Sequence, residues 1–267
     1  VVQLEKEFGN NVWNHLGFSL GVNQSDYTDL NKLVIQGVKI ICIDIAHGHS
    51  KLCLDMCIHI ANKYPHLLLI AGNVATDSGA YDLWMAGVDI IKTGIGPGSL
   101  CTTRIETGNG VPQLTALINA VEAKKSLLYS DNNISQKKLM IIADGGIKNA
   151  GDVGKALCLA DLVMVGNIFA GTEETPGNTI IKDGFSYKEY VGSSTHKSNH
   201  IEGVEAIVPY KGKFNDVLTK LLEGLRSCCA YQGVDNLEDL KKNPQFIKMT
   251  QAGLIESHSH NVKIINK

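Results

Sequence analysis

The chain has 267 residues, 44% hydrophobic and 19% charged, with 25 Lys and Arg against 27 Asp and Glu for a formal net charge of -2. That is enough apolar material for one sizeable core, and it excludes a disordered or collagen-like chain. The near balance of charge removes any global field that would draw the chain to nucleic acid or to an anionic membrane, so small molecules or copies of itself are the expected partners.

Val1-Val2-Gln3-Leu4-Glu5-Lys6 lacks the basic-then-apolar layout of a secretory leader. No apolar run reaches the roughly 18 residues that a membrane span needs, and a cytoplasmic location is expected. Short β-branched apolar runs then recur at 16–22, 38–45, 67–71, 88–93, 139–143 and 162–165. Each is followed by a turn rich in Gly, Asn, Asp or Ser and then by a longer amphipathic segment, the pattern of alternating strand and helix. Nearly continuous hydrophobic runs predict parallel strands covered on both faces, in a doubly wound sheet or a barrel.

Turn chemistry separates the two. Polar and glycine-rich clusters follow the C-terminal ends of five runs: Asp44-Ile45-Ala46-His47-Gly48, Gly72-Asn73, Gly94-Ile95-Gly96-Pro97-Gly98, Asp144-Gly145-Gly146 and Gly166-Asn167. A (β/α)8 barrel gathers such loops around one site on one face, whereas a doubly wound sheet concentrates its ligand chemistry at one crevice. The predicted fold is therefore α/β, a TIM-type barrel with six of the eight strands visible, and one catalytic domain over 1–267.

Beyond Gly171 the pattern breaks. The stretch 172–209 is polar and turn-rich, and is expected to be an active-site loop. Helical periodicity returns over 215–231, with Val217, Leu218, Leu221, Leu222 and Leu225 in a stripe, and 251–267 is a polar tail carrying Glu256, His258 and His260. Of the seven cysteines, Cys42, Cys53, Cys57 and Cys158 sit among Ile, Leu and Met and read as buried thiols. Cys53 and Cys57 with His59 lack a second ligand pair at zinc-site spacing. His47 and His49 follow a strand and either touch a cofactor or bond backbone, while His258 and His260 read as subunit contacts.

The richest segment for chemistry is Gly94-Ile95-Gly96-Pro97-Gly98-Ser99-Leu100-Cys101-Thr102-Thr103-Arg104. Glycines at i, i+2 and i+4 let backbone groups turn toward a ligand or ion, and a thiol beside Arg104 and backbone dipoles would have its thiolate favoured. The alternative is a tight turn with an incidental cysteine. A second element, Ala143-Asp144-Gly145-Gly146-Ile147 with Val165-Gly166-Asn167, has the form of a barrel's phosphate cradle, with Asp144 placed to accept from ribose hydroxyls. Alone, it reads equally as an ordinary turn.

Together these segments resemble the inosine-monophosphate dehydrogenase / guanosine-monophosphate reductase family. The resemblance runs from about Leu16 to Val262. It also includes Asp44 to Ser50, Ala71-Gly72-Asn73-Val74-Ala75-Thr76, Gly110-Val111-Pro112-Gln113, Phe169-Ala170-Gly171-Thr172-Glu173-Glu174 and Glu256-Ser257-His258. It implies that Cys101 is the nucleophile at purine C2, with Thr103 and Glu202 handling proton transfer beside it. Ser99, Gly146, Gly166 and Gly192 would cradle the 5'-phosphate, with Gly145, Asn167 and Ser193 in the same turns. Asp144 would hold the ribose and Tyr190 would be a further nucleotide contact. Asp44, Ala46, His47, Gly72 and Asn73 would face a nicotinamide cofactor. Carbonyls of Gly96, Gly98 and Cys101, with the Glu256 region of the same or a neighbouring subunit, resemble a potassium site, and the implied assembly is a homotetramer.

The family holds two reactions. The dehydrogenase oxidises IMP with NAD and hydrolyses the adduct using an Arg-Tyr pair on a mobile flap; the reductase expels ammonia from GMP and takes hydride from NADPH to give IMP. Where the flap would lie, Ser194-Thr195-His196-Lys197-Ser198-Asn199-His200-Ile201 contains neither Arg nor Tyr. Thr107-Gly108 and Arg226-Ser227-Cys228-Cys229-Ala230-Tyr231 are also closer to the reductase, whereas Ala252-Gly253-Leu254-Ile255-Glu256-Ser257-His258 resembles bacterial dehydrogenases. The reading is a GMP reductase using NADPH, with the IMP dehydrogenase as alternative. By the resemblance, the given sequence is expected to start at the family's third strand, after the paired regulatory domain, as a fragment or a split or shortened relative, so a nucleotide-binding remnant is a second class of reading. An unrelated enzyme acting on a phosphorylated sugar is a third.

Overall fold

The computed structural model describes residues 6–7, 9–130, 139–192, 205–259 and 261–263. Six strands form one parallel sheet: β1 (Gly17–Leu20), β2 (Ile40–Asp44), β3 (Leu68–Val74), β4 (Ile90–Thr93), β5 (Met140–Asp144) and β6 (Leu162–Met164). Their spatial order is their sequence order, β1-β2-β3-β4-β5-β6. A doubly wound sheet reverses direction at a switch point; this one does not, and it curls as a half-barrel. Each strand falls on its predicted run, although β3 continues through Gly72-Asn73 to Val74, where a turn was expected.

Helices return the chain between strands: α1 (Gln24–Ile35), α2 (Lys51–Lys63), α3 (Asp77–Met85), the short α4 (Thr103–Glu106), α5 (Gln113–Ser130) and α6 (Ala150–Leu157). The first residues after the strands set where they begin. Ser50 accepts from Cys53 N at 3.3 Å, Thr76 from Gly79 N at 3.1 Å and Asn149 from Asp152 N at 3.0 Å, each satisfying a helix donor that has no partner within its own helix. Strand starts have a matching device. Asp89 Oδ2 accepts from Leu69 N at 2.9 Å and Asp161 Oδ2 from Ile141 N at 2.8 Å, so a carboxylate ahead of β4 or β6 pins the strand preceding it in the sheet.

The core lies between sheet and helices, with Ile41, Ile43, Leu69, Ala71, Ile91, Ile141 and Ala143 packed in one cluster with Met56, Ile60, Leu83, Leu117 and Leu127. Coverage of both sheet faces, expected for every strand, holds only in the middle. All four residues of β4 are buried, whereas Leu68, Leu162 and Met164 are 39%, 45% and 42% exposed. Their side chains alternate with the core-facing set, and among the described residues no closing strand lies opposite them.

The expected loop at 172–209 is a correction. It contains a three-stranded antiparallel sheet, β7 (Thr179–Lys182), β8 (Phe185–Val191) and β9 (Glu205–Pro209), in the order β7-β8-β9. Asp183 and Gly184, with φ of 51° and 78°, form the two-residue turn between β7 and β8, the left-handed pair that matches hairpin twist. Buried Lys188 in β8 donates to the carbonyls of Thr175 at 2.8 Å and Gly177 at 2.9 Å, fastening the segment before the hairpin. After the four-residue α7 (Asn167–Ala170) and this sheet come α8 (Phe214–Gln232), as its stripe predicts, then α9 (Leu237–Leu240). The polar tail opens with α10 (Gln251–Glu256). No helix among the described residues is long and apolar enough to cross a membrane.

Candidate active site

The loops after β1 to β5 converge on a cavity of about 850 Å³. Asp44 and Ala46 after β2, Asn73 in β3, Gly96, Gly98, Ser99, Cys101 and Thr103 after β4, and Asp144 and Gly145 at the end of β5 all line it, and Tyr190 and Gly192 reach it from β8. Most of the residues singled out in the sequence are thus in one wall.

The two glycine turns touch. Gly145 (φ 82°) and Gly146 (φ 78°) adopt a backbone that disfavours a Cβ, and a Cβ on Gly145 would lie 3.2 Å from Pro97 Cγ and 3.3 Å from Gly98 N. Cys101 therefore stands beside the Asp144 turn, with its amide donating to Gly98 O at 3.1 Å and its Sγ donating to Thr103 Oγ1 at 3.1 Å. Of the seven cysteines it alone is exposed. Cys53 and Cys57 are buried and Cys42 and Cys158 half-buried; burial pushes the Cys42 thiol up to about 11 despite the Lys92 ammonium, and raises that of Cys158. A thiol so raised is a poor nucleophile at neutral pH.

Arg104 is a correction to the expected thiolate partner. Its guanidinium donates to Ile95 O at 3.1 and 3.3 Å and to Val111 O at 2.5 Å, and its stem packs where a Cβ on Gly96 or Gly110 would stand. Its charge is spent on the carbonyls of the loop, which it holds in shape.

Some expected residues lie outside the wall. Gly72 is buried, and a Cβ there would come within 2.5 Å of Lys92 O, so its smallness serves the β3–β4 contact rather than a ligand. Gly146 backs onto Pro97 and Gln113. Gly166 lines an adjoining cavity of about 480 Å³ that shares Tyr190, whose hydroxyl sits 2.8 Å from a Cβ position on Gly166. Asn167 begins α7, and its carbonyl accepts from Lys211 Nζ at 2.8 Å. His47 is exposed, with its ring 6.3 Å from that of His49, whose Nε2 is 2.7 Å from Asp82 Oδ2. Glu256 is exposed at the end of α10. Ser193, Glu202 and the 194–201 flap lie outside the described residues.

Two residues had been passed over. Gln113 Nε2 donates to Thr93 O at 2.7 Å, tying α5 to the end of β4. Lys92, in the middle of an apolar strand, has a side chain 4% exposed, and its Nζ is 3.0 Å from both Asp44 Oδ1 and Asp144 Oδ2. Burial alone would lower its pKa, but the two carboxylates outweigh burial and hold it above the ordinary lysine value, so it stays cationic. Asn73 Nδ2 also donates to Asp144 Oδ2 at 3.0 Å and to Gly94 O at 2.7 Å. The available signal was a charged residue within a run that otherwise reads as core.

A family model described as the IMP dehydrogenase / GMP reductase domain matches residues 10–260. The chain belongs to that family. It is 44% identical over 272 residues to an inosine-5'-monophosphate dehydrogenase of Chlorobaculum parvum, covering 93% of this chain and 53% of that relative. The corresponding enzyme of Borreliella burgdorferi is 42% identical, with 92% of this chain and 64% of the relative covered. Among solved structures, a GMP reductase variant of Trypanosoma brucei in complex with guanosine 5'-monophosphate superposes with a TM-score of 0.83 at 36% identity, covering 92% of this chain and 52% of that one. This family member therefore spans about half the length of the first curated relatives it matches. The family comprises nicotinamide-dependent oxidoreductases of purine nucleotides.

Proposed function

We propose that this family member is a GMP reductase, converting GMP to IMP and ammonia with hydride from NADPH. The carrying observation is Cys101, the one exposed thiol, lining the same cavity as Asp144 and Asp44. In this reading Asp144 binds the ribose, Gly145, Gly146 and Ser99 with Gly166, Asn167, Gly192 and Ser193 surround the 5'-phosphate, and Tyr190 closes over it. Cys101 Sγ adds to purine C2 as its proton leaves through Thr103 Oγ1, with Glu202 receiving it. Glu202 would pass that proton on to the exocyclic amine, which departs as ammonia; with hydride supplied to C2 by the bound cofactor, the C–S bond breaks to release IMP and the Cys101 thiolate, which regains a proton from solvent.

The cavity, at about 850 Å³, is ample for a mononucleotide with a nicotinamide ring beside it. Asp44 Oδ2 has no protein partner among the described residues and is an acceptor for a carboxamide N–H. Asp44, Ala46 and Asn73 would hold the cofactor, which supplies the hydride when bound. Carbonyls of Gly96, Gly98 and Cys101 are the hard oxygen donors a potassium ion takes, with Glu256 completing the set in a homotetramer.

The absence of Arg and Tyr from the sequence 194–201 favours reduction over hydrolysis, because the water-activating pair has no counterpart there. IMP dehydrogenation is the second reading, favoured by the Ala252 to His258 tail. Incubating the protein with GMP plus NADPH and, separately, with IMP plus NAD, and following the absorbance of the reduced cofactor, tests the choice. The proposal expects NADPH consumption in the first mixture and no NADH production in the second. The reverse pattern would assign the dehydrogenase, and GMP binding without turnover in either would leave a nucleotide-binding remnant.

A further inference from the structure

We infer that Lys92 is a positioning residue that couples the nucleotide-sugar subsite to the cofactor subsite, holding one oxygen of Asp144 and one of Asp44 and leaving the other oxygen of each to a ligand. The inference rests on the proposed function, which assigns those carboxylates to ribose and nicotinamide.

The geometry that carries it is a single ammonium shared by two carboxylates from different strands. Lys92 rises from β4, between β3 and β5, and its Nζ lies 3.0 Å from Asp44 Oδ1 and 3.0 Å from Asp144 Oδ2, with Met164 Sδ at 3.9 Å in a third direction. The ammonium hydrogen-bonds to Asp144 Oδ2 and Met164 Sδ and pairs with Asp44 Oδ1, and at 4% exposure its side chain lies behind the cavity wall rather than in it. Lys92 acts as a fixed charge and not as an acid or base.

Exposure falls off toward the lysine: Asp44 is 45% exposed, Asp144 23% and Lys92 4%. The carboxylates are at the cavity wall and the cation is behind them. Asp144 Oδ2 is taken twice, by Lys92 and by Asn73 Nδ2, so this carboxylate cannot rotate without breaking two bonds, while its Oδ1 has no protein partner among the described residues. Asp44 Oδ2 is likewise unpartnered among them. Two acceptors, each fixed through the same nitrogen, face one cavity. Asp44 is held by that ammonium alone and is 45% exposed, so a nucleotide that bonds to Asp144 and settles the ammonium leaves the cofactor an Asp44 already ordered, at less ordering cost.

The test is calorimetric titration of GMP into the protein with and without saturating NADP+, the oxidised cofactor, which has no hydride to give. Wild type is expected to bind GMP about fivefold or more tighter when NADP+ is present. Lys92→Met should lose the linkage, bringing the two affinities within about twofold, and Lys92→Arg, which keeps a cation, should retain part of it. Thermal melts establish that each variant is folded. Should Lys92→Met fail to fold, Lys92→Gln, which also removes the charge but keeps a hydrogen-bond donor, carries the test and should likewise bring the two affinities within about threefold. A lysine that only neutralises buried charge would change stability and leave the linkage alone. Unchanged linkage in folded Lys92→Met or Lys92→Gln, or no linkage in wild type, would overturn the inference with the proposed function intact; wild type binding no GMP would overturn both.

Discussion

The middle and the edges of the sheet are written in the same kind of apolar sequence and reach different environments. Every residue of β4 is buried, and the loops after β2 to β5 carry Asp44, Asn73, Cys101 and Asp144 on four neighbouring strands. At the edge, β6 leaves Leu162 and Met164 nearly half exposed, and the segment after it brings Val165, Gly166, Phe169 and Ala170 to a side cavity completed by Tyr190. The proposed chemistry therefore sits where the strands are held on both sides. The part of the site that would grip phosphate rests on an edge strand and a small antiparallel sheet. Precise placement of a nucleophile needs a rigid base, whereas a phosphate cradle of backbone groups tolerates more give.

The largest effect that separates the two regions is on turnover. Cys101→Ser should lower the rate with GMP and NADPH at least about 10³-fold, while the melting temperature stays near wild type because the residue is exposed. In the buried middle, Ile91→Ala should cost about 2–5 kcal/mol in denaturant unfolding, from lost burial and the cavity left behind. Gly72→Ala should cost about 1–3 kcal/mol by the same measure, since its new methyl meets the backbone of Lys92 and not a movable side-chain end. Gly166→Ala should displace only the Tyr190 hydroxyl, with little change in stability and a several-fold weaker GMP affinity in a binding titration. Smallest of all, Leu162→Ala at the exposed edge should fall within about 0.5 kcal/mol of wild type. A Leu162→Ala cost as large as that of Ile91→Ala would mean that the edge is covered in solution, and equal stability losses at Cys101 and Ile91 would erase the contrast.

The six strands were legible because each is a short β-branched run closed by a turn residue, and their order followed from polar loops recurring at the same end. What was not legible has particular causes. The hairpin at β7 and β8 carries its own signals, Asp183-Gly184 between alternating Thr179-Ile180-Ile181-Lys182 and Phe185-Ser186-Tyr187-Lys188, but its strands are polar and largely exposed, so a search for core-forming runs passes over them. Most of the cavity wall could be read because glycines beside Asp or Cys mark ligand loops. Lys92 could not be read that way. Its partners arrive from strands on either side of it, and the one local signal, a charge inside an apolar run, does not say which carboxylates it meets. Arg104 fails for the opposite reason: adjacency in sequence to Cys101 suggested an ion-pairing role, and the helical turn after the loop swings its side chain back onto Ile95 and Val111.

The account depends on the Cys101 thiol standing where a purine monophosphate binds, and alkylation measures this most directly. With the protein treated with limiting iodoacetamide and the modified peptides quantified by mass spectrometry, GMP should slow labelling of Cys101 selectively, with the other six cysteines labelled at their own slow rates either way. A Cys101 labelling rate unaffected by saturating GMP would place the nucleotide elsewhere and contradict the assignment.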